Sequence, residues 1–282
     1  MRNRKFTYMA VVVCIVFTLV CGIVLYQMTQ FSQTKVVFLN VGQGDAILIS
    51  KGARQILIDG GRDSTVLLEQ LGKYMPFWDR TIDIVAATHP DADHIDGLVG
   101  VFDNYKVEQF WHTNASKDTS VYQKLVQSVR DEQGTQDIVA FYGLRGVIDD
   151  SVNLEVIYPF VDDVNAIDDV NETSIVILLH IDDKVFYFGG DLPIEKEDLL
   201  PLGHIDVLKA GHHGSHSSTS KYFLQKTNPQ NVIISVGKNN HYGHPHKDTL
   251  ERIKESGAQI FRTDKVGAII YTCDKNCSID FE

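Results

Sequence analysis

The most informative stretch of this sequence is IDIVAATHPDADH, residues 82–94. Its first six residues form a short apolar run, which is typical of a buried strand. Two histidines and two aspartates then follow within six residues. Imidazole nitrogens and carboxylate oxygens are ligands that suit zinc, manganese or iron ions. Because a loop at the end of a strand can aim several side chains into one cavity, this stretch predicts a metal site.

Further candidate ligands follow other predicted strands. Asp59 and Asp191 each adjoin a pair of glycines at a strand end. Two histidine-rich loops follow later strands, GHHGSH at 211–216 and HYGHPH at 241–246. Each aspartate taken alone also suits a plain turn, and each histidine a surface loop. Their shared position at strand ends favours one common site.

The remaining pattern is a mixture of strands and helices with no internal repeats. Apolar runs predict strands at 35–40, 45–50, 55–58, 82–87, 107–112, 174–181, 184–188, 205–209 and 231–236, with three short strands between 259 and 281. Helical spacing predicts helices at 64–74, 95–102, 121–130 and 247–255. The acidic segment 149–172 is predicted to be irregular. We therefore expect one α/β domain over residues 35–282.

The first residues predict a membrane anchor. Residues 6–26 contain no charged side chain, and about 20 apolar residues span a bilayer core. Arg2, Arg4 and Lys5 precede them, and such a basic end stays in the cytoplasm. Residues 1–34 are thus predicted to be an uncleaved signal-anchor with its linker, which gives a single-pass cell-membrane protein with an extracytoplasmic domain. Secretion after cleavage of a signal peptide is the alternative.

Charge and cysteine content narrow the function classes. The net charge of -11 argues against a strongly basic nucleic-acid binder, although it leaves room for a metal-dependent nuclease. Cys273 and Cys277 flank a turn-like sequence and predict a disulfide across a hairpin in an oxidising compartment. Two free thiols are the alternative at these positions.

The order of these motifs resembles that of the metallo-β-lactamase superfamily. The matching positions are Asp59, His89, Asp91, Asp93, His94, Asp191 and one of His212 and His213. Asp91 stands where most members have histidine, and NETS at 171–174 stands where a third histidine is expected. With VGQGD at 41–45 and YGHP at 242–245, the set closely resembles the soluble domain of the ComEC competence proteins. The resemblance implies an α/β (α+β) fold, a four-layer αββα sandwich with its metal site at one edge.

The resemblance also implies how the ligands divide. Asp93, His94, Asp191 and one of His212 and His213 would form one site. His89, Asp91 and the shared Asp191 would form a second, in which Asn171 or water replaces the missing histidine, with His180 as another substitute. Asp59 would orient the histidines as a supporting carboxylate. The expected cofactor is Zn²⁺ or Mn²⁺, with one or two ions per chain.

The implied chemistry is hydrolysis by a metal-bound hydroxide. Asp93, His213 and His244 are the predicted catalytic residues, with a histidine protonating the leaving oxygen. Lys209 would contact a phosphate or be a solvated strand-end lysine. The leading hypothesis is a membrane-anchored phosphodiesterase or nuclease acting on a phosphodiester such as DNA, with no obligate protein partner. The alternatives are hydrolysis of a small ester, such as phosphorylcholine on a polymer or a lactone, and a non-catalytic metal-binding surface module.

Overall fold

The computed structural model describes residues 9, 11–22, 33–161, 164, 167, 169–274 and 276–282. The strands are β1 Thr34–Phe38, β2 Ile47–Lys51, β3 Arg54–Ile58, β4 Thr81–Ala87, β5 Lys106–His112, β6 Gln136–Val139, β7 Arg145–Asp149, β8 Val152–Tyr158, β9 Val176–Ile181, β10 Lys184–Phe188, β11 Val207–Lys209, β12 Asn231–Ile234, β13 Gln259–Arg262, β14 Ile269–Cys273 and β15 Cys277–Phe281. The helices are α1 Ser64–Tyr74, α2 Ala92–Asn104, α3 Ser120–Asp131, α4 Ile194–Glu197, α5 Lys221–Thr227, α6 Lys247–Glu255 and α7 Thr263–Val266. Single 3₁₀ turns cover Val170–Thr173 and Gly211–Gly214.

These strands form two sheets. One has eight strands in the order β15-β14-β1-β2-β3-β4-β5-β6, and the other has seven in the order β13-β12-β11-β10-β9-β8-β7. In the first sheet β3, β4, β5 and β6 run parallel, as do β10 to β13 in the second. The parallel strands of each sheet are followed by loops at one edge, which is the arrangement that gathers polar side chains into a site.

Apolar side chains divide into three layers of core. One core lies between the sheets and includes Phe38, Trp111 and Phe188. A second packs the first sheet against α1, α2 and α3, and a third packs the second sheet against α5 and α6. Strands buried on both faces read as continuous apolar runs. The result is an αββα sandwich of two sheets with helices on both outer faces.

One segment differs from the sequence prediction. Residues 149–172 were expected to be irregular, but β8 (Val152–Tyr158) lies inside the second sheet, paired with β7 and β9. Its inward residues Val152, Leu154 and Val156 alternate with polar ones, and this period-2 pattern was hidden by the surrounding aspartates. The sequence analysis also missed β6, β7 and the helix α5.

The terminal predictions have different outcomes. The Cys273–Cys277 disulfide is confirmed, and it closes the β14–β15 hairpin. Residues 11–22 of the predicted anchor are helical. Among the described residues, no helix combines the length and the hydropathy that a membrane crossing requires. Residues 1–8, 10 and 23–32 of the predicted anchor and linker lie outside the described part, so the anchor stays a prediction.

Candidate metal centre

The predicted ligands lie together at the edge of the sandwich where β3, β4, β10 and β11 end. Asp59 follows β3 and the loop 89–94 follows β4. Asp191 follows β10, while His212 and His213 follow β11. Both sheets thus contribute, and residues more than 100 positions apart in the sequence come into contact.

Four of these side chains form what we call the inner group: Asp93, His94, Asp191 and His213. His94 Nε2 lies 3.3 Å from Asp191 Oδ1, and His213 Nε2 lies 3.5 Å from Asp191 Oδ2. His213 Nε2 is also 3.5 Å from Asp93 Oδ2. His94, Asp191 and His213 are buried, whereas Asp93 is partly exposed. Asp191 is therefore the carboxylate about which the group is arranged.

Carboxylates hold both inner histidines from behind. His94 Nδ1 lies 2.8 Å from Asp59 Oδ2, and His213 Nδ1 lies 3.3 Å from Asp45 Oδ1 and 3.1 Å from the Ser235 carbonyl oxygen. The Nδ1–H of His94 donates to Asp59, and that of His213 donates to the Ser235 carbonyl beside the Asp45 carboxylate, so each ring turns the lone pair of Nε2 toward Asp191. Such carboxylate–histidine pairs fix the ring and raise its basicity as a metal ligand.

Three further side chains form what we call the outer group: His89, Asp91 and His212. His212 Nε2 lies 3.6 Å from Asp191 Oδ2, and His89 Nε2 lies 3.9 Å from the same atom. His89 Nε2 is also 4.0 Å from Asp91 Oδ2. Both histidines face Oδ2 of Asp191, so the outer group shares this carboxylate with the inner group.

The outer histidines are supported by hydroxyls instead of carboxylates. His89 Nδ1 lies 3.1 Å from Thr88 Oγ1, and His212 Nδ1 lies 3.5 Å from Ser217 Oγ. Because a hydroxyl carries no charge, it fixes the ring without the electrostatic support that an aspartate gives. The outer histidines are accordingly held more weakly.

Asp91 occupies the N-cap position of α2 but makes no capping hydrogen bond with its side chain. One carboxylate oxygen, Oδ1, pairs with the Lys117 ammonium, and the other faces His89. An N-cap aspartate normally accepts from the first turn of its helix. The free Oδ2 therefore remains a candidate ligand at the helix N-terminus.

Lys209 differs from both sequence predictions, since it is neither solvated nor open to a phosphate. Its side chain is fully buried, and Nζ pairs with Asp45 Oδ2 and donates to the Gly190 carbonyl at 3.1 Å. Nζ also lies 3.9 Å from Asp191 Oδ1. A buried lysine requires a carboxylate partner, and Asp45 serves both Lys209 and His213.

The glycine-rich turn 41–45 delivers Asp45 to this position. Gly44 has φ +120°, and a Cβ there would lie 2.0 Å from the Asp93 carbonyl oxygen. Asp45 N donates to that same carbonyl at 3.2 Å. Only glycine permits this close backbone approach, so the turn and the loop 89–94 are packed as one unit.

Unpartnered buried atoms converge on the centre. Among the described residues, the Nε2 atoms of His89, His94 and His213 and Oδ1 of Asp191 have no hydrogen-bond partner. Buried polar atoms are nearly always paired, and four unsatisfied acceptors close together are the arrangement that a cation satisfies. The sets His89/His94/Asp191 and Asp93/His94/His213 each bring their ligand atoms within 4.8 Å of one another. The residues present therefore fit a divalent metal.

The charge balance without a cation points the same way. Burial lowers the pKa of His213, but Asp191 and Asp45 outweigh it and raise that pKa to about 9. Burial likewise opposes protonation of His94, yet Asp191 and Asp59 hold its pKa well above the usual value. In contrast, burial and the neighbouring His94 keep the pKa of His89 well below it. The inner carboxylates thus favour a positive charge beside them. A bound cation would supply that charge and would displace the protons of the imidazole rings.

The other predicted residues lie at varying distances from the centre. Asn171 Oδ1, in the 3₁₀ turn Val170–Thr173, is buried and unpartnered among the described residues. His180 pairs with Val185 near the end of β9 and is in no ligand cluster of the described residues. The His244 ring centroid lies 5.4 Å from that of His212, at the rim.

The buried Glu197 supports the loop that carries His212 and His213. Its Oε2 accepts from Thr219 N at 2.5 Å, and Thr219 Oγ1 accepts from Gly211 N at 3.0 Å. Burial raises the pKa of Glu197 to about 8. Sequence reasoning missed Glu197 and the buried roles of Lys209 and Asp45, because their contacts exist only after the loops meet. Asp45 alone carried a signal, its place after two glycines in the quoted motif.

Comparisons with known proteins agree with this geometry. The family model described as "Metallo-beta-lactamase superfamily" matches residues 39–238. ComE operon protein 3 of Bacillus subtilis is 28% identical over 261 residues, covering 85% of this chain and 33% of its own length. Recombination protein 2 of Haemophilus influenzae is 28% identical over 236 residues, covering 82% and 28%. Competence protein ComA of Neisseria gonorrhoeae is also 28% identical, over 253 residues. The chain spans about a third of the length of these relatives.

Solved structures share the fold. The metallo-beta-lactamase fold protein YhfI from Bacillus subtilis superimposes with a TM-score of 0.57 at 11% identity, covering 86% of this chain and all of that one. Igni18, a metallo hydrolase from Ignicoccus hospitalis, superimposes with a TM-score of 0.54 at 18% identity over 86% of this chain. The resemblance to the competence proteins is confirmed, and the chain belongs to the metallo-beta-lactamase superfamily of metal-dependent hydrolases.

Proposed function

We propose that this chain is a membrane-anchored, extracytoplasmic metal-dependent phosphodiesterase, with DNA as a candidate substrate. One observation carries the proposal: the buried Nε2 atoms of His89, His94 and His213 converge on Asp191, and neither these three atoms nor Asp191 Oδ1 has a hydrogen-bond partner among the described residues. The relatives of this chain are named as competence and recombination proteins, which supports nucleic acid as the substrate class.

The inner group would hold the first cation through Asp93, His94, Asp191 and His213. The outer group would hold a second through His89, Asp91 and the shared Asp191, with His212 in place of the histidine that this chain lacks near Asn171. A divalent ion at such a site lowers the pKa of water and takes up the charge that develops on a phosphoryl oxygen. The richness in oxygen ligands keeps both Mn²⁺ and Zn²⁺ as cofactor candidates.

The protein side chains supply position and hydrogen bonds. Asp59 and Asp45 keep the inner rings aimed at Asp191, and Lys117 holds Asp91 at the N-terminus of α2. Burial and the neighbouring His212 lower the pKa of His244 to about 4. This ring is neutral at pH 7, so we assign it a hydrogen bond to a substrate oxygen, and its predicted role as proton donor stays a prediction.

Hydrolysis of a small ester is the second candidate, and a cavity favours it. The cavity measures ≈ 180 Å³ and adjoins His89; its lining includes Phe110, His112, Tyr122 and Arg130. A site of this kind suits one ring or choline-sized group better than a polymer. The third candidate is a non-catalytic module. A chain that bound one ion in the inner group and none in the outer group would fit this candidate.

The deciding assay uses the full chain purified in detergent and loaded with Mn²⁺ or Zn²⁺. Substrates are single-stranded DNA, duplex DNA, bis(p-nitrophenyl) phosphate and a phosphorylcholine ester, with Asp191→Asn as the matched inactive control. We expect metal-dependent cleavage of the phosphodiesters. Release of choline phosphate with DNA intact would support the second candidate, and one bound ion without turnover would support the third. Carbonate extraction of cell membranes tests the anchor separately, since an integral protein stays in the pellet.

A further inference from the structure

Two large aromatic side chains are exposed in the turn between α1 and β4. Phe77 is 82% exposed and Trp78 is 65% exposed. Their rings form an edge-to-face pair with centroids 4.8 Å apart. Folded proteins seldom expose two adjacent large aromatic rings, and such a patch marks a contact surface.

The sheet register shows where this pair lies. In the first sheet Thr34 is opposite Lys51, Lys51 is opposite Arg54, and β3 and β4 place Arg54 level with Ile82. Thr34 and Ile82 are thus in one row, three strand spacings or roughly 14 Å apart. Trp78 precedes Ile82 by four residues. The aromatic pair therefore lies at the same edge of the sheet at which the chain from the apolar segment 6–26 enters the domain.

The metal centre lies at the other edge. Asp59 and His89 follow the far ends of β3 and β4, the strands that begin beside the aromatic pair. At about 3.3 Å per residue, the seven residues of β4 separate the two edges by about 20 Å.

Charges at the entry edge favour a contact that does not depend on anionic lipid. Of the basic side chains there, Lys51 pairs with Asp149 at 2.6 Å and Arg54 pairs with Asp83, while Arg80 donates to the Tyr105 hydroxyl at 3.3 Å. The neighbouring turns of the second sheet carry further exposed acidic side chains, Asp182 and Asp183. Acidic turns do not attract an anionic surface, so the attraction at this edge comes from apolar contact of the Phe77 and Trp78 rings.

We propose that Phe77 and Trp78 insert into the interfacial layer of the membrane that holds the N-terminal segment. Tryptophan, whose apolar ring carries a polar N–H, prefers this layer, and the Phe77 ring would add apolar contact. The insertion would seat the domain on its entry edge and turn the metal centre away from the bilayer. The proposal rests on the proposed membrane anchor, and it sharpens the substrate class: the substrate would approach from the aqueous side, and lipid headgroups would be out of reach.

The sequence offers a clean spectroscopic test, because its two tryptophans are Trp78 and the fully buried Trp111. The full chain is reconstituted in phosphatidylcholine vesicles, with or without brominated phosphatidylcholine as a quencher. We expect Trp78 emission to shift to shorter wavelength and to lose intensity with the brominated lipid. Trp78→Phe should abolish this loss, since only Trp111 then emits. Adding phosphatidylglycerol should leave the quenching unchanged.

A matched control moves the probe to the other edge. Tyr222, 56% exposed, lies at the start of α5, just after the histidine loop. The double variant Trp78→Phe/Tyr222→Trp should show no quenching by brominated lipid. Equal quenching at both positions would overturn the proposed orientation.

The outcomes separate this inference from the proposed function. If carbonate releases the chain from membranes, both the proposed anchor and this inference are wrong. A chain that stays in the membrane while Trp78 emission is insensitive to brominated lipid overturns the inference alone, whether water or another protein covers the pair. Phosphodiesterase turnover is measured on the same vesicles, and its presence or absence does not depend on either result.

Discussion

The inner and outer ligand groups share Asp191 but differ in what holds their histidines. Behind His94 and His213 lie the buried aspartates Asp59 and Asp45. Behind His89 and His212 lie the hydroxyls of Thr88 and Ser217. Since a supporting carboxylate raises the affinity of a histidine for metal, the two groups should bind with unequal strength. The missing third histidine and the uncharged supports of His89 and His212 would both weaken the second metal position.

Replacing the shared carboxylate should have the largest effect. Asp191→Asn keeps the shape of the side chain but removes the charge that both groups need. We expect loss of both metal ions and a fall in turnover beyond the about 10–100-fold that loss of a supporting residue costs. Elemental analysis of the purified variant checks this. One ion retained at full affinity would contradict the central place of Asp191.

Breaking the buried ion pair should destabilise the inner side. Lys209→Met leaves Asp45 without its ammonium partner, and removing one member of a buried pair typically costs about 3–5 kcal/mol. Thermal or urea unfolding measures the loss. Lys184→Met, which removes a partly exposed partner of Asp206, is the control and should cost much less. Equal losses would show that Lys209 has no special role.

The supporting groups themselves provide the most direct comparison. Asp59→Asn should weaken binding of the first ion by about 10–100-fold. Ser217→Ala, behind His212, should leave the first ion unchanged and weaken only the second. Titration calorimetry with Zn²⁺ or Mn²⁺ resolves the two steps. If the serine variant lost the first ion, our division into inner and outer groups would be wrong.

The last prediction concerns pH and the loop that carries His212 and His213. Glu197 has a pKa raised to about 8 in the folded chain, against 4.5 for an ordinary glutamate. Between these values the folded state holds a proton that the unfolded state has lost, so its stabilising contribution is present below pH 4.5 and is lost as pH rises to 8. Relative to Glu197→Gln, the free energy of unfolding should fall by up to about 1.4 kcal/mol per pH unit in this window. Denaturation of both proteins at several pH values measures this difference. An equal pH dependence of the free energy of unfolding in the two proteins would contradict the prediction.

Much of the site was predictable because its residues follow strands. The apolar run 82–87 and the loop 89–94 predicted a strand and a ligand loop, and β4 and the start of α2 agree with that prediction. Asp191 and the pair His212 and His213 were predicted on the same ground. The sequence could not predict which histidine rings face Asp93 and Asp191, because the rings that meet there come from two different sheets.

The errors have a physical pattern as well. Lys209 was expected at the surface because lysine is almost never buried without a partner, and that partner, Asp45, is 164 residues away. The strand β8 was missed because the acidic residues Asp149 and Asp150 precede it and obscured its alternation of apolar and polar residues. That alternation is explained by the pairing of β8 with β9 in the second sheet.

Local periodicity and residue chemistry in the sequence established an α/β domain, the ligand types and their places at strand ends, while the αββα arrangement was implied by the resemblance of its motifs to the metallo-β-lactamase superfamily. Only the tertiary structure decided that His213 belongs to the inner group, that Asp45 and Lys209 are buried beneath it, and that Phe77 and Trp78 lie at the edge where the chain enters. These facts arise from contacts between distant segments, whose geometry is set by the packing of two sheets.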